Sequence, residues 1–277
     1  MEPRKEKEVN YYNEQAKEWL KGNQKDIGDF EGFKPGLLSS FASCYQWLKE
    51  NCRNKKVLDY GCGNGIHSIF PAKMGAEKVV GIDLSGKSLE IARRRIKQEG
   101  LENRVEFILM DCEKMAFPDN TFDIIFDGGT FSSVDVKKAY PELARVLKPD
   151  GSLIGIETFG HNPLTNLKRK LNKISGKRTE WAAEHIFNTK DLKLAENYFD
   201  KIEVKYFHLI SWMAFPFLSL PGGKFLLKLG ELKEKILFKI PFLRKYAFKV
   251  VFIFSQPKKG EEIKISSSLS SKDSIND

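Results

Sequence analysis

The stretch Val57-Leu58-Asp59-Tyr60-Gly61-Cys62-Gly63-Asn64-Gly65 places an apolar run that contains an acid directly before three alternating glycines. A short apolar run that breaks into glycines is typical of a buried parallel strand that turns sharply into a helix. Glycines at such a turn let the backbone approach a ligand closely, because no side chain stands between them. This geometry suits a nucleotide-like cofactor.

Strand and helix patterns alternate strictly from residue 56 onward. The predicted strands are 56–59, 78–83, 105–110, 122–127 and 151–158, and the predicted helices between them are 66–74, 86–99 and 139–147. Such alternation predicts an α/β fold with a doubly wound parallel sheet that carries helices on both faces. Residues 201–208 and 248–254 are predicted as two further strands.

Acidic residues follow the predicted strands. Each of the first five strands ends in, or within a residue or two of, an acid: Asp59, Asp83, Asp111, Asp127 and Glu157. Ligands of open α/β sheets bind at the carboxyl ends of the strands, so we expect these five acids to converge on one crevice. For any single acid, a cap of the following helix is an equally good interpretation.

The spacing of the glycines bears on the kind of cofactor. It departs from the G-x-G-x-x-G pattern of dinucleotide-binding proteins, because Gly65 comes one place early and Ile66 follows it. A pyrophosphate on this turn would also lie close to the negative charge of Asp59. Dinucleotide binding is therefore disfavoured. A cofactor with a ribose, an ammonium and a positive sulfonium matches a ring of carboxylates better.

The run 59–65 resembles the first motif of the class I S-adenosylmethionine-dependent methyltransferases, in which the glycine turn holds the methionine portion. The resemblance implies that Asp83 accepts hydrogen bonds from the ribose hydroxyls. It also implies that Asp111 receives the exocyclic amine of the adenine and that the Cys112 backbone lies at the ring edge. The residues that we expect to bind the cofactor are Asp59, Gly61, Cys62, Gly63, Gly65, Asp83, Leu84, Asp111, Cys112, Asp127 and Tyr11.

The resemblance continues through residues 117–123 and 143–151 and covers roughly residues 55–160. It implies a seven-stranded Rossmann-like sheet whose last strand runs antiparallel. Many relatives of this type carry Leu-His-His after the fourth strand, whereas this chain has 128–133 as Gly-Gly-Thr-Phe-Ser-Ser, so no role of those histidines is carried over. The Asn-Pro-Pro-Tyr signature of enzymes that methylate exocyclic amines is also missing, which argues against that class.

Few residues are candidates for proton removal. A sulfonium methyl is already electrophilic, so positioning of the acceptor is expected to supply most of the catalysis. Glu157 and His161 lie in or just after the fifth strand, and His185 follows later. For each histidine the alternative is an ordinary role in a loop or cap. We expect these three residues to be the catalytic candidates.

Composition and charge limit the possible location and partners of the protein. The four cysteines have neither zinc-site spacing nor a disulfide pattern, so we expect reduced thiols, no metal site and a cytoplasmic protein. The charged start is not a signal peptide, and the longest apolar stretch is too short for a membrane span. The formal net charge is +9, and residues 200–260 hold twelve Lys and Arg against four Asp and Glu. No DNA-binding module is recognisable.

Three further regions surround the predicted methyltransferase domain at 51–257. Residues 1–50 are interpreted as an N-terminal helical cover, with a direct role of the Tyr11–Tyr12 pair in ligand binding as the alternative. The insertion 209–243 contains a basic amphipathic helix, which could pack on the sheet, close over an apolar substrate or lie on an anionic membrane surface. Residues 258–277 are predicted to be a disordered tail.

The sequence therefore predicts a methyltransferase that uses S-adenosylmethionine to methylate an oxygen or carbon of a small, hydrophobic or lipid-like acceptor. Two alternatives stay open. One is an RNA or protein methyltransferase, and the other is a non-catalytic S-adenosylmethionine-binding regulatory subunit. The acceptor and the oligomeric state are not determined by the sequence, and peripheral membrane contact through 209–243 is one possibility.

Overall fold

A seven-stranded sheet forms the centre of the protein. The computed structural model describes residues 1–22, 38–174 and 178–260. The strands are β1 (Lys56–Tyr60), β2 (Lys78–Asp83), β3 (Val105–Leu109), β4 (Phe122–Asp127), β5 (Leu147–Thr158), β6 (Phe199–Phe207) and β7 (Lys249–Pro257). Their order across the sheet is β3-β2-β1-β4-β5-β7-β6.

The directions of the strands confirm the predicted Rossmann-like sheet. Strands β1 to β5 pair in parallel, whereas β7 runs antiparallel to both β5 and β6. In β1 and β4 nearly every residue is buried, because helices cover both faces of a parallel sheet. The carboxyl ends of β1, β2, β3 and β4 consequently meet at one edge.

Helices cover the sheet as the alternating pattern predicts. They are α1 (Pro3–Gly22), α2 (Ser39–Asn51), α3 (Ile69–Lys73), α4 (Gly86–Gln98), α5 (Val136–Val146), α6 (Pro163–Ile174), α7 (Glu180–Glu184), α8 (Thr189–Ala195), α9 (Gly223–Leu237) and α10 (Pro241–Arg244), with a 3-10 helix at Ser211–Phe217. Side-chain caps fix where several of them begin. Ser85 accepts the backbone N–H of Ser88 at the start of α4, and Asp135 accepts that of Lys137 at the start of α5.

Two apolar clusters hold the helices to the two faces of the sheet. One is centred on aromatic residues such as Tyr60, Phe131 and Phe252, and the other includes Leu48 and Val57. All four cysteines are free and buried within these layers or beside them. Burial of apolar surface on both faces is what stabilises the strands that carry the acidic ends.

Helix α1 lies within the predicted helical cover and runs from Pro3 to Gly22. Its second half packs on α4, where Ala16 contacts the buried Ile91. The Asn13 side-chain oxygen accepts hydrogen bonds from Ser85 Oγ at 2.8 Å and from the Lys87 N–H at 3.2 Å. These contacts fix α1 beside the carboxyl end of β2, so its first half reaches over the edge of the sheet.

Helix α9 is attached to the body along a narrow stripe. The Glu234 carboxylate is buried and accepts the backbone N–H groups of Ile210 and Ser211, both at 2.6 Å. Leu227 is buried beside it, and a Cβ at Gly230 would come within 2.9 Å of Ser211, so the helix packs closely on the 3-10 helix. The rest of the helix surface faces solvent.

Parts of the predicted domain division lie outside the described residues. These are 23–37 within the N-terminal cover and 261–277 within the predicted tail. The first residues after β7 are held to the body, since the Lys258 N–H donates to Tyr198 O at 2.9 Å and Lys259 Nζ donates to Ala144 O at 2.6 Å. The boundaries at residues 50 and 257 stay predictions.

Candidate functional site

A cavity of about 180 Å³ lies at the carboxyl ends of β1 to β4. Its floor and sides are formed by the loops that follow these strands, and its roof is formed by the first half of α1. The lining residues are Arg4, Lys5, Glu8, Val9, Tyr12, Gly61, Gly63, Asp83, Leu84, Ser85, Ser88, Asp111, Cys112, Glu113, Gly128, Gly129, Thr130, Ser133 and Val134. This is the place where ligands of open α/β sheets bind.

The glycine turn after β1 forms one wall. Gly61 and Gly63 have positive φ values of +66° and +50°, which favour glycine. A Cβ at Gly61 would lie 2.3 Å from Thr130 Oγ1, so the loops after β1 and β4 touch at this point. A Cβ at Gly63 would meet nothing within 4 Å, which leaves its backbone open to the cavity. Cys62 and Gly65, from the same motif, do not line the cavity.

Asp83 at the end of β2 points into the cavity. Its Oδ2 accepts the Gly63 N–H at 2.9 Å, and its Oδ1 accepts the Ser85 N–H at 2.7 Å. Burial raises the pKa of this carboxyl, and the backbone donors oppose that shift. Each oxygen keeps a second lone pair, so the carboxylate can also receive a pair of hydroxyl groups. Leu84 lies beside it in the wall, as the resemblance implies.

Asp111 after β3 also lines the cavity but is already paired. Its Oδ2 accepts a hydrogen bond from Lys5 Nζ at 2.6 Å, and its Oδ1 accepts the Glu113 N–H at 2.9 Å. Cys112 lines the cavity as well, and burial raises the pKa of its thiol well above the ordinary value. Its role in a binding site is therefore that of backbone and shape, since a thiol is a poor nucleophile.

Asp59 and Asp127 lie beneath the cavity wall instead of in it. Asp59 is only 2% exposed and accepts a hydrogen bond from Ser68 Oγ at 2.5 Å. Asp127 is fully buried, and its Oδ1 accepts the Thr130 N–H at 2.8 Å. Burial, followed by the nearby charge of Glu157, raises the pKa of Asp127 well above its usual range. Both acids thus shape the loops after their strands.

The predicted catalytic residues are not brought to the cavity wall. Glu157 is buried and accepts the Phe131 N–H at 2.7 Å, which holds the loop after β4. His161 Nε2 accepts the Thr189 N–H at 3.3 Å at the start of α8, and burial lowers the pKa of this imidazole. Their part in proton removal stays a prediction.

His185 is likewise outside the cavity wall, as is Tyr11. The imidazole of His185 is exposed and stacks on Trp181, with ring centroids 3.4 Å apart. Tyr11 was expected to bind the cofactor, but its neighbour Tyr12 is the tyrosine that lines the cavity. The two rings contact each other edge to face at 5.3 Å. The role of Tyr11 therefore also stays a prediction.

The sequence predicted a helical cover at residues 1–50 but not which of its residues contact the cavity. Lys5 Nζ lies 2.6 Å from Asp111 Oδ2 and 2.8 Å from Glu113 Oε2, and Arg4 Nη2 lies 2.6 Å from Glu113 Oε1. Lys5, Glu8 and Tyr12 follow the i, i+3, i+7 spacing of one helical face. This spacing was the available signal for which residues of the predicted helical cover face the cavity.

Comparisons with known proteins agree with the fold. Residues 57–151 match a family model described as a methyltransferase domain. The chain is 32% identical over 122 residues to the ribosomal protein L11 methyltransferase of Haemophilus influenzae, which covers 44% of this chain and 40% of that protein. It is 33% identical over 113 residues to the demethylmenaquinone methyltransferase of Bacteroides fragilis, which covers 40% and 46%. Less than half of either relative is thus spanned.

A solved structure shares the fold over a greater length. The geranyl diphosphate C-methyltransferase from Streptomyces coelicolor, in complex with Mg²⁺, geranyl diphosphate and S-adenosyl-L-homocysteine, has a TM-score of 0.56. The match covers 78% of this chain and 79% of that chain at 16% identity. At this identity the likeness concerns the fold alone.

The buried acid Asp59 should make stability depend on pH. Burial raises the pKa of its carboxyl to about 7. The unfolded chain ionises near pH 4, so the folded state loses stability as pH rises from about 4 to about 7. We expect Asp59→Asn, which can still accept the Ser68 hydroxyl, to gain unfolding free energy relative to the parent over this interval. Urea unfolding at several pH values measures the difference.

Above pH 7 the difference between the Asp59→Asn variant and the parent should stop growing. Glu106→Gln, which removes an exposed carboxylate from β3, serves as the control and should show no such profile. A difference between Asp59→Asn and the parent that is constant from pH 4 to pH 7 would contradict the account of Asp59.

Proposed function

We propose that this protein, whose residues 57–151 match a methyltransferase domain, is a class I S-adenosylmethionine-dependent methyltransferase that transfers a methyl group to a small hydrophobic or lipid-like acceptor. The observation that carries the proposal is the position of Asp83 in the cavity wall, 2.9 Å from the backbone nitrogen of Gly63. An acid at the end of β2 and an open glycine turn at the end of β1 are the two parts that a ribose-containing cofactor requires.

The residues present fit S-adenosylmethionine. Asp83 would receive the ribose hydroxyls, because both of its oxygens retain lone pairs within the cavity. The open backbone at Gly63 would hold the methionine portion, and the segment at Asp111 and Cys112 would hold the adenine. Lys5 occupies one oxygen of Asp111, so the adenine amine would share this carboxylate with Lys5.

The bound cofactor supplies an electrophilic methyl group on a sulfonium. The chain must then bind the two reactants, align them and keep water out. The roof made by α1 helps to keep water out, since Val9 and Tyr12 cover the cavity. Glu157, His161 and His185 remain the candidates for moving a proton, although none of them lines the cavity.

A hydrophobic acceptor is favoured by the surface of the insertion 209–243. Ten large apolar side chains of residues 213–242 are exposed, against five elsewhere in the described chain. Exposed apolar patches of this size mark interaction sites for apolar partners. The demethylmenaquinone and geranyl diphosphate enzymes have acceptors of that kind by name, whereas the ribosomal protein L11 enzyme acts on a protein. The apolar surface supports an acceptor of the first kind.

The exposed apolar residues of α9 form a regular stripe. Phe225, Leu229, Leu232 and Ile236 follow i, i+4, i+7, i+11 spacing and are between 38% and 69% exposed. They lie opposite the stripe that contains Leu227 and attaches the helix to the body. The apolar stripe therefore faces away from the protein.

Lysines flank this stripe and indicate its partner. Lys224, Lys228 and Lys235 share one flank of α9 and are exposed. An apolar stripe bordered by lysines matches an anionic lipid bilayer, in which apolar side chains enter the acyl region and lysines meet the headgroups. A second copy of the chain would set like charges against each other across a symmetric interface. We therefore assign the stripe to the surface of an anionic membrane.

None of the helices in the described parts of the chain combines the length and the hydropathy needed to cross a membrane. The membrane contact proposed for α9 accordingly lies in the plane of the interface.

Cofactor binding tests the premise of the proposed function. Calorimetry should show that the parent binds S-adenosylmethionine, and Asp83→Ala should weaken this binding at least tenfold, or by about 1.4 kcal/mol, because the ribose loses its acceptor. Glu106→Ala, at an exposed position on β3, is the matched loss of an acid and should bind as the parent does. Binding that survives unchanged in Asp83→Ala would contradict the assignment of the cavity.

The acceptor class can be read from the destination of the methyl group. The parent is incubated with methyl-labelled S-adenosylmethionine and with separated lipid, small-molecule, RNA and protein fractions of a cell extract. We expect label in the lipid or small-molecule fraction. Label in RNA or protein would favour the alternative enzyme class, and cofactor binding without label in any fraction would favour a regulatory subunit.

Vesicle sedimentation tests the apolar stripe. The parent should sediment with vesicles of phosphatidylcholine and phosphatidylserine and much less with phosphatidylcholine alone, because the lysines need anionic headgroups. A Phe225→Ser, Ile236→Ser double variant should reduce partitioning at least tenfold, since each side chain contributes about 1.5–3 kcal/mol when buried.

The control for the membrane experiment is Leu109→Ser, a change at a side chain that is 61% exposed on β3 and far from the stripe in the sheet order. It should leave partitioning unchanged. If the parent sediments with neither vesicle type, the assignment to a membrane is wrong. The assignment is also wrong if sedimentation equilibrium shows that the parent self-associates through the stripe.

A further inference from the structure

Glu8 stands out among the polar groups of the described residues. It is only 6% exposed, it lines the cavity from the roof, and neither of its carboxylate oxygens has a hydrogen-bond partner in the described chain. Burial raises the pKa of this carboxyl, while the nearby hydroxyls of Thr179 and Ser133 oppose the shift.

The other carboxylates in the cavity wall already accept hydrogen bonds from groups of the protein. Asp83 accepts two backbone N–H groups, Asp111 accepts Lys5, and Glu113 accepts Arg4 at 2.6 Å as well as the Asp135 N–H at 2.7 Å. The charges of Asp111 and Glu113 are offset by the cations Lys5 and Arg4, whereas Asp83 is held by backbone donors alone. Glu8 is the wall carboxylate, within the described residues, that accepts no hydrogen bond from the protein.

The cations around Glu8 are engaged with other partners. Arg4 binds Glu113 and stacks over the Trp181 ring at 4.4 Å. Arg178 donates to Ser132 Oγ at 3.0 Å and influences Glu8 only through space. No ion pair within 4 Å joins Glu8 to either arginine among the described contacts. The carboxylate is thus buried in the roof of the cavity, without an ion-pair partner among the described residues.

A buried carboxylate without a donor costs several kcal/mol unless something neutralises it. The protein can offset this cost by binding a ligand that brings a positive charge to the same place. S-adenosylmethionine carries a positive sulfonium in addition to its ammonium and carboxylate, so its net charge is +1 at neutral pH. The product of methyl transfer, S-adenosylhomocysteine, keeps the ammonium and carboxylate but has a neutral thioether.

We propose that Glu8 supplies the negative charge by which the cavity favours the sulfonium form of the cofactor over the neutral thioether product. This inference rests on the proposed function. It gives α1 a role in recognition in addition to covering the cavity. When the methyl group leaves with the acceptor, the positive charge on sulfur disappears, and the attraction to Glu8 weakens with it. The same carboxylate would thus help to hold the donor and to release the product.

Binding measurements with three probes test this role of Glu8 without any acceptor. The probes are S-adenosylmethionine, sinefungin, which carries an amine in place of the sulfonium, and S-adenosylhomocysteine. We expect Glu8→Gln to weaken binding of the two positively charged probes about tenfold, which corresponds to about 1.4 kcal/mol. Binding of S-adenosylhomocysteine should change by less than about twofold, a difference of about 0.4 kcal/mol.

Glu6→Gln is the matched control, because Glu6 is exposed on the same helix and its loss changes the net charge equally. It should bind all three probes as the parent does, and thermal unfolding should show that both variants are folded. Equal loss for all three probes in Glu8→Gln, or no loss for any of them, overturns the role of Glu8. A parent that binds none of the probes would instead overturn the proposed function itself.

Discussion

The close approach of two loops is the constraint on which the site depends. Gly61 has no side chain, and this allows Thr130 Oγ1 to reach the backbone oxygen of Tyr60 at 2.8 Å. Asp127 holds the same threonine through its N–H, so the ends of β1 and β4 are joined from below. If these loops moved apart, the cavity would lose one wall and the open backbone at Gly63 would no longer face a ligand. The buried acids beneath the wall therefore have a structural role, which is to hold the loops that form the cavity.

A second layer of charge lies above the cavity. Lys5 and Arg4 pair with Asp111 and Glu113, so the roof and the floor attract each other across the space that a cofactor would enter. These pairs are partly buried, and solvent screens them less than it would screen surface pairs. A ligand that enters has to share these groups, which ties occupancy of the cavity to the position of α1. Glu8 differs because its charge is not used within the protein.

The sequence predicted much of the fold because parallel strands bury both faces and so leave long apolar runs. The ends of β2 and β4 were placed correctly at Asp83 and Asp127. Asp83 and Asp111 reached the cavity, but Asp59 and Asp127 did not. A carboxyl at a strand end can point up to a ligand or down to a cap, and spacing alone does not distinguish these directions.

The contacts of the predicted helical cover with the cavity were not predicted, for a different reason. Residues of α1 meet the loops after β3 and β4 only through contacts between segments more than a hundred residues apart, and local patterns do not report such contacts. The position of His161 also depends on a contact that local patterns do not report, because the loop after β5 turns toward α8. His185 likewise lies outside the cavity wall.

The position of α1 in the chain also has a consequence for how the protein assembles. It precedes every strand that it covers, yet its contacts with Asp111, Glu113 and Ser133 span 106 to 129 residues. Closing such long loops costs conformational entropy that is recovered only when the opposite surface already exists. The first half of the helix is therefore made before the surface that it contacts, and it can make these contacts only after the loops that follow β3 and β4 have formed. A chain in which this half of α1 is not docked would leave the edge of its sheet, and the cavity there, open to solvent.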